Sequence, residues 1–358
     1  MAQNYQRIGD YISVLDIRNT DGGITNLMGI SIDKCYIPSV ANVIGTDLHN
    51  YKVIRKGQFA CSLMQVSRDQ RIPLAMYSSD EPAIMSPAYI IFEVNRSNEL
   101  LSEYMELWFK RAEFDREASF YAVGGVRGSL DWEDFCNMKI PVLPIDEQRQ
   151  IVHDYQVITN RIELLRKING IIESVCDSLF EYTTEAASLR GSSHLEDYIS
   201  FENGKARPST IGIIPVYGGN GIMAYTDDYN EENVTVIGRV GAYCGSVYVE
   251  KNRCWVSDNA IVAKSKVSED EYFDYCLLKK KNLYNHHIGT GQQLLTQGIL
   301  NAISCAMYTK DEICRFNQTV APLFQNMHTC SEEIDKLEKL SLLLLSALTF
   351  EKKSEVSA

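Results

Sequence analysis

The chain has 358 residues, a hydrophobic content of 45%, a charged content of 23% and a formal net charge of −12. The length exceeds the roughly 250–300 residues at which a single core usually stops growing, so two domains are expected. The negative charge argues against general electrostatic attraction to nucleic acid or anionic membrane, and no run of about 18 apolar residues predicts a membrane span.

The first part of the chain, residues 1–145, alternates short β-type segments with turn signals. The segments YKVIRKGQFACSLM and SPAYIIFEV are rich in β-branched and aromatic residues, which is typical of strands. The segment Ser97–Arg111 predicts a helix with Ser97 as its N-cap. Together these segments predict a mixed α/β domain.

A long helix is predicted over residues 146–190. Asp146 and Glu147 stand at its start, where the helix dipole favours negative charge. Its apolar residues recur every three or four positions, as in a coiled-coil seam with one irregular three-residue step. The seam residues are Ile151, Tyr155, Ile158, Ile162, Leu165, Ile168, Ile172, Val175 and Leu179.

Residues 191–311 repeat the plan of the first domain. The segments VTVIGRV, SVYVE and NAIVAK are separated by turn-forming residues and predict strands. A helix follows over Ser268–Asn282, where Ser268 and Glu271 have the spacing of a capping box.

A second long helix is predicted over residues 312–352, followed by a tail at 353–358. Its apolar or small residues follow a heptad spacing without interruption, and each seam needs an apolar surface to cover it. We therefore expect the two helices to pack as an antiparallel coiled coil. The seam residues are Phe316, Val320, Leu323, Met327, Cys330, Ile334, Leu337, Ser341, Leu344 and Leu348.

The two halves show signs of an internal repeat. The sequence DYIS occurs at Asp10–Ser13 and again at Asp197–Ser200, an offset of 187 residues, while Leu130–Gln148 aligns without gaps with Leu295–Ile313 at an offset of 165. The repeat predicts two α+β domains and two helices related by a pseudo-twofold axis. The alternative is two unrelated segments that both end in helices.

Signatures of catalysis and of metal binding are missing from the sequence. None of the ten cysteines forms a C-x-x-C pair, and the histidines and cysteines lack zinc-ligand spacing. There is no phosphate-binding loop, nucleophile elbow or methyltransferase motif. The sequence therefore predicts a non-catalytic binding protein that holds no metal, and the start MAQNYQ, which lacks a secretory apolar core, predicts a cytoplasmic location.

The motifs of both halves resemble the specificity (S) subunits of type I restriction–modification systems. The resemblance covers nearly the whole chain. It depends on the doubled organisation, on IPVLPIDEQRQIV at the start of the first long helix, and on KGQFACSLM followed by SPAYIIFEV. In the second half it depends on YGGNGIMAY, VIGRVGAYCGSVYV, CWVSDNAIV and GTGQQLLT. The second half departs from the family in having CAMYTKDE where the first has IPVLPIDE, so the geometry at the start of the second helix is not implied.

The resemblance implies two target-recognition domains that each read half of an asymmetric, bipartite sequence in double-stranded DNA. It implies helices that set the spacing and dock methyltransferase subunits, and partners that carry S-adenosylmethionine, methylation and any nuclease activity. Restriction/translocase subunits are further candidate partners in such a phage-defence complex. The domain charges remain an objection, because Lys and Arg minus Asp and Glu gives −4 over residues 1–145 and −3 over residues 191–295.

Candidate base-reading residues are polar side chains with donors that match groove edges. In the first domain they lie in SLMQVSRDQR, which alternatively forms an ordinary solvated loop. In the second they lie in the family-like motifs, whose glycines either let DNA approach the backbone or hold turns. The candidates are Gln65, Arg68, Gln70, Arg71, Lys205, Arg207, Tyr217, Asn220, Arg239, Tyr243, Gln292 and Gln293.

Two other classes of function stay open on the sequence alone. One is a coiled-coil scaffold with two protein- or glycan-binding domains and no DNA binding. The other is an enzyme with an unrecognised site, which the missing motifs disfavour.

Overall fold

The computed structural model describes residues 5–39, 46–64, 66–122, 128–289 and 291–348. The chain divides into two compact units, one formed by residues 1–163 with 335–358 and the other by residues 164–334. Both units contain antiparallel sheet and short helices, and each includes one part of two long helices. The fold is therefore α+β.

The first unit is built on an antiparallel sheet of four strands in the order β2-β9-β6-β7. Its long-helix segments pack on a core that contains Phe59, Phe92 and Phe135. Its strands are β1 (Tyr5–Arg7), β2 (Ile12–Leu15), β3 (Met28–Ile30), β4 (Tyr36–Pro38), β5 (Lys52–Ile54), β6 (Phe59–Cys61), β7 (Leu74–Met76), β8 (Ala83–Met85), β9 (Ile90–Val94) and β10 (Lys139–Pro141). Its short helices are α1 (Val66–Asp69), α2 (Ser102–Phe109), α3 (Ala112–Tyr121) and α4 (Trp132–Asn137).

The second unit contains a six-stranded sheet in the order β12-β17-β15-β16-β13-β14, in which only β13 and β16 run parallel. Its strands are β11 (Ser192–His194), β12 (Ile199–Asn203), β13 (Ile214–Gly218), β14 (Gly221–Thr226), β15 (Glu231–Gly238), β16 (Val247–Val256), β17 (Ala260–Ser265) and β18 (Ser304–Ala306). Its short helices are α6 (Tyr272–Lys280) and α7 (Gln297–Asn301), while the long helices are α5 (Ile145–Ser188) and α8 (Lys310–Ala347).

The internal repeat extends to strand order and to individual hydrogen bonds. The order β2-β9-β6-β7 in the first unit matches β12-β17-β15-β16 in the second, with antiparallel pairing throughout. The carbonyl of Tyr11 accepts a bond from the Asn95 amide, and the carbonyl of Tyr198 accepts one from the Lys266 amide. In both copies of DYIS the aspartate ends or lies in a 3-10 turn and a strand follows. The predicted repeat is confirmed, with DYIS marking the same structural element.

The long helices pack against each other in antiparallel order. The start of α5 and the end of α8 share one core, in which Ile151 and Tyr155 pack near Leu345 and Leu348. The end of α5 and the start of α8 share the other core, which contains Phe180 and Phe316. All ten predicted seam residues of α8 are buried or half-buried.

The predicted seam residues of α5 are buried or half-buried except Val175. Val175 is 43% exposed, whereas Cys176 is buried, so the prediction for Val175 is wrong. After Ile172 the most buried side chains of α5 are those of Cys176 and Phe180, which follow at intervals of four residues. The reason is that this part of α5 packs on the core of the second unit, which follows the natural helical period and not the heptad repeat.

Two short helices begin later than their sequences predict. Ser97 and Ser268 lie outside α2 and α6, and Leu101 and Glu271 occupy the N-cap positions without a side-chain cap bond. The backbone amides of Leu101 and Phe273 instead donate to the side chains of Gln148 on α5 and Asn317 on α8. Rules based on local sequence do not take such long-range contacts into account.

Candidate functional site

Four loops of the second unit meet at one end of its sheet, and we call them the loop cluster. The amide of Arg239 donates to the carbonyl of Asn259 at 3.0 Å, and the amide of Gly241 donates to the carbonyl of Gln293 at 3.0 Å. These bonds join loops that are distant in sequence into one surface. The loop cluster consists of residues 219–220, 239–246, 257–259, 288–289 and 291–294.

Glycines allow the loops to approach one another closely. A Cβ atom at Gly238 would lie 2.4 Å from the carbonyl oxygen of Gly219, and one at Gly245 would lie 2.5 Å from the amide nitrogen of Tyr284. Gly245 also has a φ of +89°, a conformation that favours glycine. Of the two roles expected for these glycines, contacts within the domain account for Gly238 and Gly245.

The loop cluster brings together most of the predicted reading residues of this domain. Asn220, Tyr243 and Gln292 are exposed, while Gln293 and Arg239 are half-buried. Exposed amide, phenol and guanidinium groups provide the hydrogen-bond donors and acceptors that base edges and phosphates require. The cluster is therefore the candidate contact surface of the second unit.

Arg239 keeps much of its hydrogen-bonding capacity. Its Nη1 lies 3.4 Å from the carbonyl oxygen of Asp258, and its buried Nε atom has no hydrogen-bond partner among the described residues. A guanidinium with unused N–H donors can form the two parallel hydrogen bonds that guanine accepts at O6 and N7.

Tyr217 does not belong to this surface. Its ring is buried beside Tyr248, and its hydroxyl donates to the Glu250 carboxylate at 3.0 Å. Its sequence motif lies at the edge of the loop cluster, but alternation along β13 turns this side chain into the core. We therefore remove Tyr217 from the candidate reading residues.

Two basic residues beside the loop cluster have no acidic partner in the part of the chain that the structure describes. The amide of Lys205 donates to the carbonyl of Val256 at 3.0 Å, which places its backbone next to the 257–259 turn, and Arg207 is exposed nearby in sequence. By contrast, six Lys and Arg side chains of this unit form ion pairs with carboxylates among the described residues: Arg190, Lys251, Arg253, Lys264, Lys279 and Lys280. A locally positive site can therefore exist in a domain of negative net charge.

The first unit has a loop in the equivalent position, between β6 and β7. The amide of Leu130 donates to the carbonyl of Leu63 there, as the amide of Leu295 donates to that of Arg239, both at 2.9 Å. This correspondence places the predicted segment SLMQVSRDQR at the same corner of its sheet as the 239–246 loop.

The predicted basic side chains of that loop are already paired. Arg68 bonds to Asp69 and Arg71 bonds to Asp33, and all four lie at the surface or half-buried. Gln70 is exposed, with a positive φ of 55°. Gln65 lies outside the described residues. The loop can contact a ligand, but its arginines must first exchange their carboxylate partners.

Sequence reasoning missed some members of the loop cluster. Asp258 and Asn259 are exposed and lie next to Arg239, and Ser246 bonds to the carbonyl of Gly219. The signal was present, because Asp258 and Asn259 form the turn of the quoted motif CWVSDNAIV. Only the fold shows that this turn adjoins the 239–246 loop.

The outer face of α5 carries an apolar groove of about 740 Å³ in the second unit. Leu164, Ile171 and Val175 are exposed along this face, and Gly170 faces open space. Apolar side chains at helical spacing on a surface are typical of a docking site for another protein. The groove is lined by Lys167, Gly170, Ile171, Ser174, Val175, Ser178 and Leu179.

Within the described residues, no group of three or more His, Cys, Asp or Glu side chains is placed to hold a metal ion. No helix of this part of the chain is long and apolar enough to cross a membrane.

Comparisons with known proteins connect this arrangement to one family. A family model described as the type I restriction modification DNA specificity domain matches residues 199–305, which include β12 to β17, the start of β18 and all of the loop cluster. No curated protein sequence matches the chain at a significant level.

Among solved structures, the chain is similar to the S subunit of a type I restriction–modification system from M. genitalium. The two are 14% identical over 98% of this chain and 97% of that one, with a TM-score of 0.66. The HsdS subunit from Thermoanaerobacter tengcongensis is 15% identical over 96% of both chains, with a TM-score of 0.36, so the similarity of fold rests on the first structure. Residues 199–305 therefore carry the sequence pattern of a type I restriction modification DNA specificity domain, and the chain has a fold similar to that of the M. genitalium S subunit along its length.

Proposed function

We propose that each unit of this DNA-recognition subunit reads one half of an asymmetric bipartite target. The observation that carries the proposal is the shared four-strand sheet with different loops at the same corner. The loop between β6 and β7 presents Arg68 and Arg71, whereas the equivalent loop of the second unit presents Arg239 and Tyr243. Two related scaffolds with different surface chemistry recognise different base sequences.

The long helices act as the spacer between the two half-sites. At about 1.5 Å per residue, the 44 residues of α5 extend over about 65 Å and the 38 residues of α8 over about 57 Å. Half-sites one helical turn apart are separated by about 34–36 Å, so helices of this length can set this distance.

Methyltransferase subunits dock on the outer face of the helices. The exposed apolar groove on α5 supports this role, because apolar side chains such as Ile171 lose contact with water when a partner covers them. S-adenosylmethionine and the methylation chemistry belong to those partners, and any nuclease activity belongs to restriction/translocase subunits. The specificity subunit itself recognises DNA without catalysis and works in the cytoplasm.

Methylome mapping tests the proposal. Genomic DNA from cells that express the methyltransferase is sequenced for modified bases with and without the gene for this chain. We expect one asymmetric motif, made of two short half-sites and an unspecified spacer, to lose methylation when the gene is removed. If no bipartite motif disappears while the methyltransferase is still present, the proposed function is wrong.

A further inference from the structure

A fully buried amide on α5 holds the first unit's helix α2. The side-chain oxygen of Gln148 accepts a bond from the amide of Leu101 at 2.9 Å, and its nitrogen donates to the carbonyls of Glu99 and Leu143, both at 2.7 Å. Gln148 has no exposed surface. The first turn of the long helix is therefore tied to the N-terminus of α2 by two hydrogen bonds, and the third holds the segment that precedes α5.

The second unit has a corresponding contact from α8. The side-chain oxygen of Asn317 accepts a bond from the amide of Phe273 at 2.8 Å, and its nitrogen donates to the Ser268 hydroxyl at 3.1 Å and to the Asp270 carbonyl at 2.8 Å. Asn317 is 1% exposed. It holds the N-terminus of α6, as Gln148 holds that of α2.

The two amides are not at equivalent positions in the repeat. Gln148 aligns with Ile313, and Asn317, four residues later, aligns with Val152. Four residues make about one helical turn, so both amides lie on the same face of their helices. The contact is therefore kept in both units although the residue that makes it has moved by one turn.

A buried amide fixes geometry more strictly than an apolar contact. Leucine and isoleucine side chains tolerate small shifts of a helix over a core, because dispersion forces are not directional. The bonds of Gln148 and Asn317 are directional, and a shift of one helix would leave buried donors and acceptors without partners. Each amide thus sets how a domain sits on its own long helix.

We propose that Gln148 and Asn317 are positioning residues that determine which spacer length the protein accepts. The inference rests on the proposed function, since a spacer exists only if the target is bipartite. A domain that is firmly oriented on its helix presents its loops at one distance and one rotation along the duplex. A domain that can tilt also accepts half-sites displaced by one base pair.

Methylome mapping of variants tests this role in the complete complex. The variants are Gln148→Leu and Asn317→Leu, which remove all three hydrogen bonds, and the isosteric Gln148→Glu and Asn317→Asp, which keep the accepting oxygen but place a second carboxyl oxygen against two hydrogen-bond acceptors. The measured quantity is the ratio of methylation at sites with spacers one base pair longer or shorter to methylation at the correct spacer. We expect this ratio to rise about tenfold, the factor that corresponds to one buried hydrogen bond, with the half-site bases unchanged.

Matched controls are Val152→Ala and Ile313→Val, which alter apolar side chains at the aligned positions. They lower the melting temperature of the complex but leave the spacer ratio unchanged. Equal ratios in the amide variants and the controls overturn the inference, and so does loss of all methylation in the four amide variants, because the amides would then serve assembly and not spacing. If the wild-type protein itself gives no bipartite motif, the proposed function fails.

Discussion

At the scale of single residues, the second unit separates side chains that support the domain from side chains that are free to bind. Tyr217 bonds to Glu250 within the core, while Tyr243 is 57% exposed on the loop cluster. Arg253 is engaged by Glu232 and lies over the Tyr229 ring. Arg239 has a carbonyl contact and no carboxylate partner among the described residues, so it is the arginine that can bond to a base.

Replacing Arg239 by alanine tests this distinction. We expect methylation of the target to fall roughly tenfold to a hundredfold, because a bidentate arginine–guanine contact contributes about 1–3 kcal/mol of discrimination. Arg253→Ala is the matched control and is expected to change methylation little. Both are measured by single-turnover methylation of a duplex target with the assembled complex. Equal losses in the two variants would contradict a base-reading role for Arg239.

A pair of buried carboxyl groups predicts how the stability of the second unit depends on pH. Burial raises the pKa of Glu271 to about 7, although the amide of Ser265 bonds to its carboxylate. Burial, together with the charge of Glu271, raises the pKa of Asp274 well above its ordinary value. A carboxyl group with a raised folded-state pKa stabilises the fold below its unfolded pKa, and this contribution is lost as pH rises through the folded pKa.

We therefore expect the melting temperature of the wild-type chain to fall as pH rises from about 4.5 to 7 and beyond, apart from other titrating groups. Glu271→Gln and Asp274→Asn are uncharged at every pH, so each should raise the melting temperature more at pH 8 than at pH 5. The control is Glu269→Gln, whose side chain is exposed. Thermal unfolding across this pH range measures the effect, and a pH-independent shift in all three variants would disprove it.

At the scale of elements, α5 has two faces with different uses. Ile172 is half-buried on the seam and packs on the second unit's core, while the neighbouring Ile171 is 65% exposed in the outer groove. The heptad spacing of α8 could be predicted from sequence in full, because a coiled-coil seam repeats locally. The spacing of the buried residues of α5 beyond Ile172 could not be predicted in this way, because it depends on the domain core against which this part of the helix packs.

The adjacent isoleucines provide a test of methyltransferase docking. Ile172→Ala should lower the free energy of unfolding by roughly 1–3 kcal/mol through lost packing. Ile171→Glu should change it by less than about 0.5 kcal/mol but weaken capture of the methyltransferase subunit. Denaturant unfolding and co-purification measure the two effects separately. Unchanged co-purification of the Ile171→Glu variant would show that the subunit docks elsewhere.

At the scale of the whole molecule, a net charge of −12 has to be reconciled with the proposed role in DNA recognition. Several basic residues of the second unit are paired with carboxylates, whereas Lys205 and Arg207 stand apart from these pairs. A few cations neutralise few phosphates, so the affinity of the chain alone is low and depends on these salt-sensitive contacts. If the proposed function is correct, methyltransferase subunits supply much of the phosphate contact.

The isolated chain is therefore expected to bind duplex DNA weakly, with affinity that falls steeply between low and physiological salt. Addition of the methyltransferase subunit should tighten binding and make it sequence-specific. Fluorescence anisotropy with target and scrambled duplexes at several salt concentrations measures both effects. Tight, sequence-specific binding by the chain alone at physiological salt would be the contrary result.

The sequence by itself determined the doubled plan of this protein, the two long helices and the equivalence of the DYIS copies. These features follow from local periodicity and from repetition, which need no knowledge of distant contacts. It also indicated Asn220, Arg239, Tyr243, Gln292 and Gln293 through family-like motifs.

Only the tertiary structure decided which side chains share a surface and which lie in the core. Tyr217 lies in β13 and is buried in the core, whereas Tyr243 lies in the 239–246 loop and is exposed. The starts of α2 and α6 depend on Gln148 and Asn317, which are far away in sequence. Long-range hydrogen bonds and burial are properties of the assembled chain, and no local pattern contains them.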